Sequence, residues 1–178
     1  MTAAFNLAFP AIRRRRLWKG LEVSGYNQSG QVVTLLVRNK DRVLSITDCW
    51  ACISLSVDQG RDILSPPGGR QAHIRPDALH VVEDERLCWS VVIDGKCPPE
   101  VDIRSGVPQS LQLCDVLTAD RCIGLFSESR HDPYRVFLRD DKQYSGHVDI
   151  LGKGLRPKRF KIRLGPVTGS RCHVQIEA

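Results

Sequence analysis

Two cysteines three residues apart, Cys49 and Cys52, form the sharpest chemical motif in this 178-residue chain. A Cys-x-x-Cys pair supplies half of a structural zinc site, which takes four ligands and commonly two such pairs. No second pair follows. Cys88 and Cys97, which flank the turn Asp94-Gly95-Lys96, could in principle supply it, with His80 as a substitute ligand. If Cys49 and Cys52 share one extended strand they point to opposite faces and do not chelate together. Two cysteines in or beside a strand, behaving as small hydrophobes, are therefore expected.

A cysteine nucleophile needs a neighbouring base. His73, His80, His131, His147 and His173 offer chance pairings with seven cysteines, but no recognisable motif surrounds any of them. Paired acids can run glycoside hydrolysis. Here Glu83-Asp84-Glu85 and Asp140-Asp141 read as solvated charge next to turns. Gly152-Lys153-Gly154 lacks the spacing of a phosphate-cradling loop and reads as a tight turn. No catalytic residue, cofactor or bound metal is expected.

The remaining chemical feature is positive charge. Lys153, Arg156, Lys158, Arg159, Lys161 and Arg163 form a basic stripe, and Arg13, Arg14, Arg15 and Arg16 form a basic run. Together they are candidate anion-binding residues. Lysine and arginine supply the sequence-independent part of nucleic-acid affinity. Single-strand readers also interleave exposed aromatics, and Phe160 falls on the inward side of its strand. The net charge of +6 and pI near 9.1 permit an anionic partner without requiring one. Trp18, Trp50, Trp89, Tyr134 and Tyr144 are expected to pack in the core or on a sheet.

The elements that carry these residues read as strands. Phe160, Ile162 and Leu164 alternate with Arg159, Lys161 and Arg163, and Cys172, Val174 and Ile176 alternate with Arg171, His173, Gln175 and Glu177. Such period-two patterning marks half-buried antiparallel strands. Further strands are expected at 17–23 (an edge strand broken by Gly20), 31–38, 43–57, 79–82, 87–93, 110–117, 121–126, 134–139 and 147–151. Turns are expected at 26–30, 39–41, 94–96 and 140–142. Ser65-Pro66-Pro67-Gly68-Gly69 reads as a surface excursion. No segment of ten residues carries a helical period. Seven to ten strands with turns at this spacing fit a sandwich or barrel, and a two-sheet antiparallel sandwich is the simplest way to bury them.

The chain is expected to hold a basic arm, 1–16, and one sandwich domain, 17–178. At 42% hydrophobic and 26% charged residues it suits a globular protein. The cysteine count, seven, is odd, unlike a secreted disulfide framework. No stretch approaches the ~20 apolar residues of a membrane-spanning helix, and the charges of the N-terminal stretch follow its apolar part, the wrong order for a secretory signal. A reducing, cytoplasmic location is expected.

Three stretches resemble a known family. Leu35-Leu36-Val37-Arg38-Asn39 leads to Cys49-Trp50-Ala51-Cys52-Ile53. Leu87-Cys88-Trp89 is followed by Asp102-Ile103-Arg104-Ser105-Gly106 and Leu111-Gln112-Leu113. Tyr134-Arg135-Val136 runs through to Arg159-Phe160-Lys161-Ile162. Over roughly residues 31–164 the pattern is similar to the immunoglobulin-like β-sandwich modules of prokaryotic proteins, of the CARDB class. The resemblance implies an accessory, adhesive or spacing domain without catalysis, and it supplies no functional residues. The chain departs from the family in its seven cysteines, and the antibody-type Cys–Trp–Cys pattern is not evident.

The expected role is thus a non-enzymatic interaction module with an unidentified protein partner, its end loops at 58–78 and 126–133 being places for binding. Two alternatives stand beside it: a nucleic-acid-binding β protein using the arm and the stripe, and a cysteine-based metal-binding protein built on Cys49 and Cys52.

Overall fold

A computed structural model describes residues 18–57, 80–90, 98, 100–126, 134–153 and 155–177. Arg13–Arg16, the 58–78 excursion, the 94–96 turn and nearly all of 126–133 lie outside the described residues.

The described residues form eleven strands: β1 Leu21–Ser29, β2 Val32–Asn39, β3 Ile46–Ser56, β4 His80–Leu87, β5 Val101–Ile103, β6 Gln109–Leu117, β7 Cys122–Phe126, β8 Tyr134–Arg139, β9 Tyr144–Leu151, β10 Lys158–Thr168 and β11 Arg171–Glu177. They form two antiparallel sheets. One has the order β1-β2-β6-β7-β8; the other has the order β11-β10-β9-β3-β4, with β5 also pairing β3. The fold is the expected two-sheet β-sandwich. No described helix is long and apolar enough to cross a membrane.

Alternation builds the core between the sheets. Val33, Leu35 and Val37 face Ala51, Ile53 and Leu55, with Val148, Ile150, Phe160, Ile162 and Leu164 completing the wall; all are at most 2% exposed. Each Val, Leu, Ile or Phe side chain so removed from water contributes roughly 1.5–3 kcal/mol. On β10 their neighbours in sequence, Arg159, Lys161 and Arg163, are exposed, whereas on β3 and β9 the outward Cys52, Ser54 and Asp149 are themselves nearly covered.

Two corners tie the sheets together. After Leu87 the chain leaves β4, and Trp89 bridges Leu111 of the other sheet. The Trp89 indole, fully buried, donates to the Cys49 carbonyl at 3.0 Å. At the opposite corner the edge strands β1 and β11 meet. There Gln28 donates from Nε2 to the Ser170 carbonyl at 2.6 Å and accepts the Cys172 N–H at 3.1 Å.

The crossover from β2 to β3 is organised by buried polar groups. Asn39, 0% exposed, donates to the Leu44 carbonyl at 2.6 Å and accepts the Asp41 N–H at 3.0 Å. The Asp41 carboxylate accepts the N–H groups of Val43 and Leu44. Ser105 donates to the Asp41 carbonyl. These bonds satisfy backbone groups that a buried loop would otherwise leave bare.

Several boundaries differ from the sequence reading. Residues 26–29, expected in a turn, continue β1, whose register instead shifts between Val23 and Gly25. Residues 80–82 and Leu87, expected in two separate strands, belong to one strand, β4; between them Asp84 adopts φ 49° and forms a bulge. β9 begins at Tyr144 and β10 extends to Thr168, past Gly165-Pro166. The three-residue β5 was not anticipated. Trp18 is 41% exposed instead of packed in a core, and lies in a helical turn at 18–20.

A candidate binding face on the six-stranded sheet

The outward positions of β3, β9, β10 and β11 form cross-strand rows. Cys52 pairs with Asp149 and Asp149 with Arg159. Ser54, His147, Lys161 and Glu177 make the next row, and Ser56, Ser145, Arg163 and Gln175 the third. Facing side chains on adjacent strands are close enough to interact.

The first row and the Ser54 end of the second are locked. Arg159 grips Asp149 bidentately, Nε to Oδ1 at 2.9 Å and Nη2 to Oδ2 at 2.7 Å. That grip holds the Asp149 carboxyl below the usual carboxylate range and raises the guanidinium in turn. His147 Nε2 lies 3.7 Å from the same carboxylate. The Ser54 hydroxyl donates to Asp84 Oδ1 at 3.3 Å and accepts the Asp84 N–H at 3.0 Å. Ser54 is thus committed to the β4 bulge, and its proton goes to Asp84. The Cys52 thiol also points at Asp84 Oδ1, at 3.9 Å. Burial, with the Asp84 and Asp149 charges behind it, pushes that thiol up to about 11, so it stays protonated at neutral pH.

Around Lys161 and Arg163 the face is open. A depression of about 190 Å³ is lined by Ser145, Gly146, Lys161, Ile162, Arg163, Gln175 and Glu177. Ile162 and Gly146 form its floor because they alternate inward. Among the described residues no ion pair engages Lys161 or Arg163. Two cations, a serine hydroxyl and a glutamine amide around one hollow can hold an anionic group such as a carboxylate. Glu177, opposite Lys161, adds an acceptor.

The basic stripe read from the sequence is therefore split. Arg159, Lys161 and Arg163 do share one exposed row, but Arg159 is neutralised by Asp149. Lys158 has the parity of Phe160 and turns the other way. Its ammonium donates to the Leu21 carbonyl and lies 5.1 Å from the Trp18 ring centroid. Burial lowers its basicity. Lys153 and Arg156 sit in the β9–β10 connection, Lys153 within 3.6 Å of Asp48. Trp50, on the same outer face, lies under the Arg86 guanidinium at 5.2 Å, and Arg86 bonds Glu100 at 2.8 Å. That ring is covered on one side by a cation.

Cys49 and Cys52 do not converge. Cys49 belongs to the core and is fully buried, where desolvation pushes its thiol up to about 12; Cys52 lies on the outer face. Among the described residues no group of three or more His, Cys, Asp or Glu could hold a metal ion. The cluster of Asp84, Ser54, His147 and Asp149 escaped the sequence reading. His147 and Asp149, two apart on one strand, were its only local signal. Compared with known families, curated proteins and solved structures, the chain matches none.

Proposed function

We propose that this protein is a non-enzymatic interaction module, an immunoglobulin-like sandwich of the CARDB-like kind, that binds an acidic segment of a partner protein in a reducing, cytoplasmic setting. The observation that carries this reading is the open hollow at Lys161 and Arg163. These cations stand ready on a rigid sheet, whereas the neighbouring Ser54, Asp84, Asp149 and Arg159 satisfy one another. A rigid face with free charge at one spot suits recognition, because little ordering cost falls on the module when it binds. The commitment of the Ser54 proton to Asp84 supports binding over hydrolysis.

The test is charge reversal. Partners are captured by crosslinking to the wild-type chain and to Lys161→Glu/Arg163→Glu, and each recovered protein is rebuilt as a purified pair. Site-dependent binding weakens at least tenfold in the reversed variant. A partner held equally by both proteins overturns the assignment of this face. Nucleic acid is the second reading, favoured by the same two cations. Capture abolished by nuclease, with affinity falling steeply in salt, would replace the protein partner with a polyanion.

A further inference from the structure

Two cysteines that play no part in the binding face stand together between the sheets. Gln28, Val33 and Cys114 lie in one cross-strand row of the five-stranded sheet. Gln28 then reaches across the corner and holds both the Ser170 carbonyl and the Cys172 N–H, which seats the start of β11 over that row. A bulge in β6 turns Cys114 inward. Val33 pairs with Cys114 and Thr34 with Gln112, so Leu113 is the extra residue and Leu113 and Cys114 are both fully buried. Cys172 is 2% exposed; its thiol interacts with that of Cys114 and lies 3.7 Å from the His173 carbonyl. A disulfide requires the two sulfurs to close to about 2.05 Å.

We propose that Cys114 and Cys172 form a site of reversible two-electron oxidation, at which hydrogen peroxide converts the dithiol to a disulfide joining the two sheets. The environment divides the roles. The Cys114 S–H donates to Cys172, and the Gly165 N–H adds a second bond, so Cys172 is held below the ordinary thiol range; burial holds Cys114 well above it. Cys172 is therefore the attacking sulfur. Its thiolate forms an S–O bond as the O–O bond breaks, giving sulfenic acid and hydroxide, which takes up the Cys172 proton to become water. The Cys114 sulfur then attacks the sulfenic sulfur. The S–S bond forms, the S–O bond breaks, and the Cys114 proton leaves with the departing hydroxide as a second water. Two thiols are oxidised and one peroxide is reduced. A thiol reductant reverses the change by exchange.

Peroxide is small and neutral, which suits a site closed to charged reagents. The entry is the β1–β11 corner, latched by the two Gln28 bonds. Competing thiols are disfavoured: burial pushes Cys49, Cys52 and Cys122 up to about 12, 11 and 11.

The experiment treats the reduced full chain with a few equivalents of hydrogen peroxide, quenches with acid and maps the unreduced digest by mass spectrometry. The expected result is a mass loss of about 2 Da, a linked Cys114–Cys172 peptide pair, and five cysteines that still alkylate after denaturation. The oxidised protein melts roughly 5–15 °C higher, because the cross-link restricts the unfolded chain. Gln28→Ala, which opens the corner without touching either sulfur, forms the same pair at least threefold faster. Loss of thiols at other cysteines first, linkage between chains, or no reaction overturns the proposal. An unchanged rate in a folded Gln28→Ala overturns the entry route and the latch with it.

Discussion

Asp149 is the residue on which the outer face of the six-stranded sheet turns. It is 6% exposed, and its two oxygens are taken by Arg159. A carboxylate held below its usual range stabilises the fold above the unfolded value, near 3.9. That stabilisation is complete at neutral pH and is lost as pH falls through the depressed folded value. Asp149→Asn is expected to lower stability by about 1 kcal/mol at pH 7, a figure reduced because the Arg159 side chain is 61% exposed. Urea melts at pH 7 and at pH 2–3 check this: the gap between wild type and variant should close in acid. A gap that persists unchanged would mean that the ion pair is not its source. Gly146 is a second critical position. A β-carbon there would collide with the Ser54 carbonyl oxygen, between two central strands. Gly146→Ala should cost about 3 kcal/mol by chemical denaturation; a neutral result would mean that β3 and β9 separate easily. Some of these positions were legible in the sequence. Arg159, Lys161 and Arg163 were, because alternation fixes their face. Asp149 was not, since its partner lies on another strand, and Cys114 was hidden by the extra residue at Leu113.

At the scale of elements, the turns with special chemistry were readable and the bulges were not. Asn39-Lys40-Asp41 and Asp140-Asp141-Lys142 do separate strands. Glu83-Asp84-Glu85 has the same composition as a turn, yet it runs through β4. Ser54 supplies hydrogen bonds to Asp84 from the neighbouring strand, and this long-range partner keeps the chain extended past a left-handed residue. The same logic gives a prediction for the β2–β3 crossover. Asn39→Ala removes the bonds to the Leu44 carbonyl and the Asp41 N–H inside a closed corner. Each buried group left bare costs about 1–3 kcal/mol, so the variant should lose about 3 kcal/mol in a denaturant melt. Hydrogen exchange should quicken first at Asp41, Val43 and Leu44. Faster exchange throughout the chain with no local lead would show that the network is not a separable unit.

The whole molecule buries its charge-bearing strands through one shared core. Residues of both sheets, from Leu21 to Val174, belong to a single cluster, and the Trp89 bridge and the Gln28 clamp join the sheets at two corners. The hollow at Lys161 and Arg163 stands on β10, whose inward residues Phe160, Ile162 and Leu164 are the centre of that core. Recognition and stability therefore share a strand, on opposite sides. Phe160→Ala should cost about 3–5 kcal/mol, the transfer loss plus the cavity left behind. Because the core is common, both sheets should fail together. Far-ultraviolet circular dichroism reports the strands of both sheets, and tryptophan fluorescence is dominated by the change at Trp89, the indole that is fully buried. In wild type and in Phe160→Ala the two signals are expected to trace one transition, with the midpoint lowered and the slope unchanged. Separate midpoints would mean that the sheets unfold independently. The cations on β10 would then ride on a sheet whose integrity does not depend on its partner, and the face could be studied apart from the five-stranded sheet.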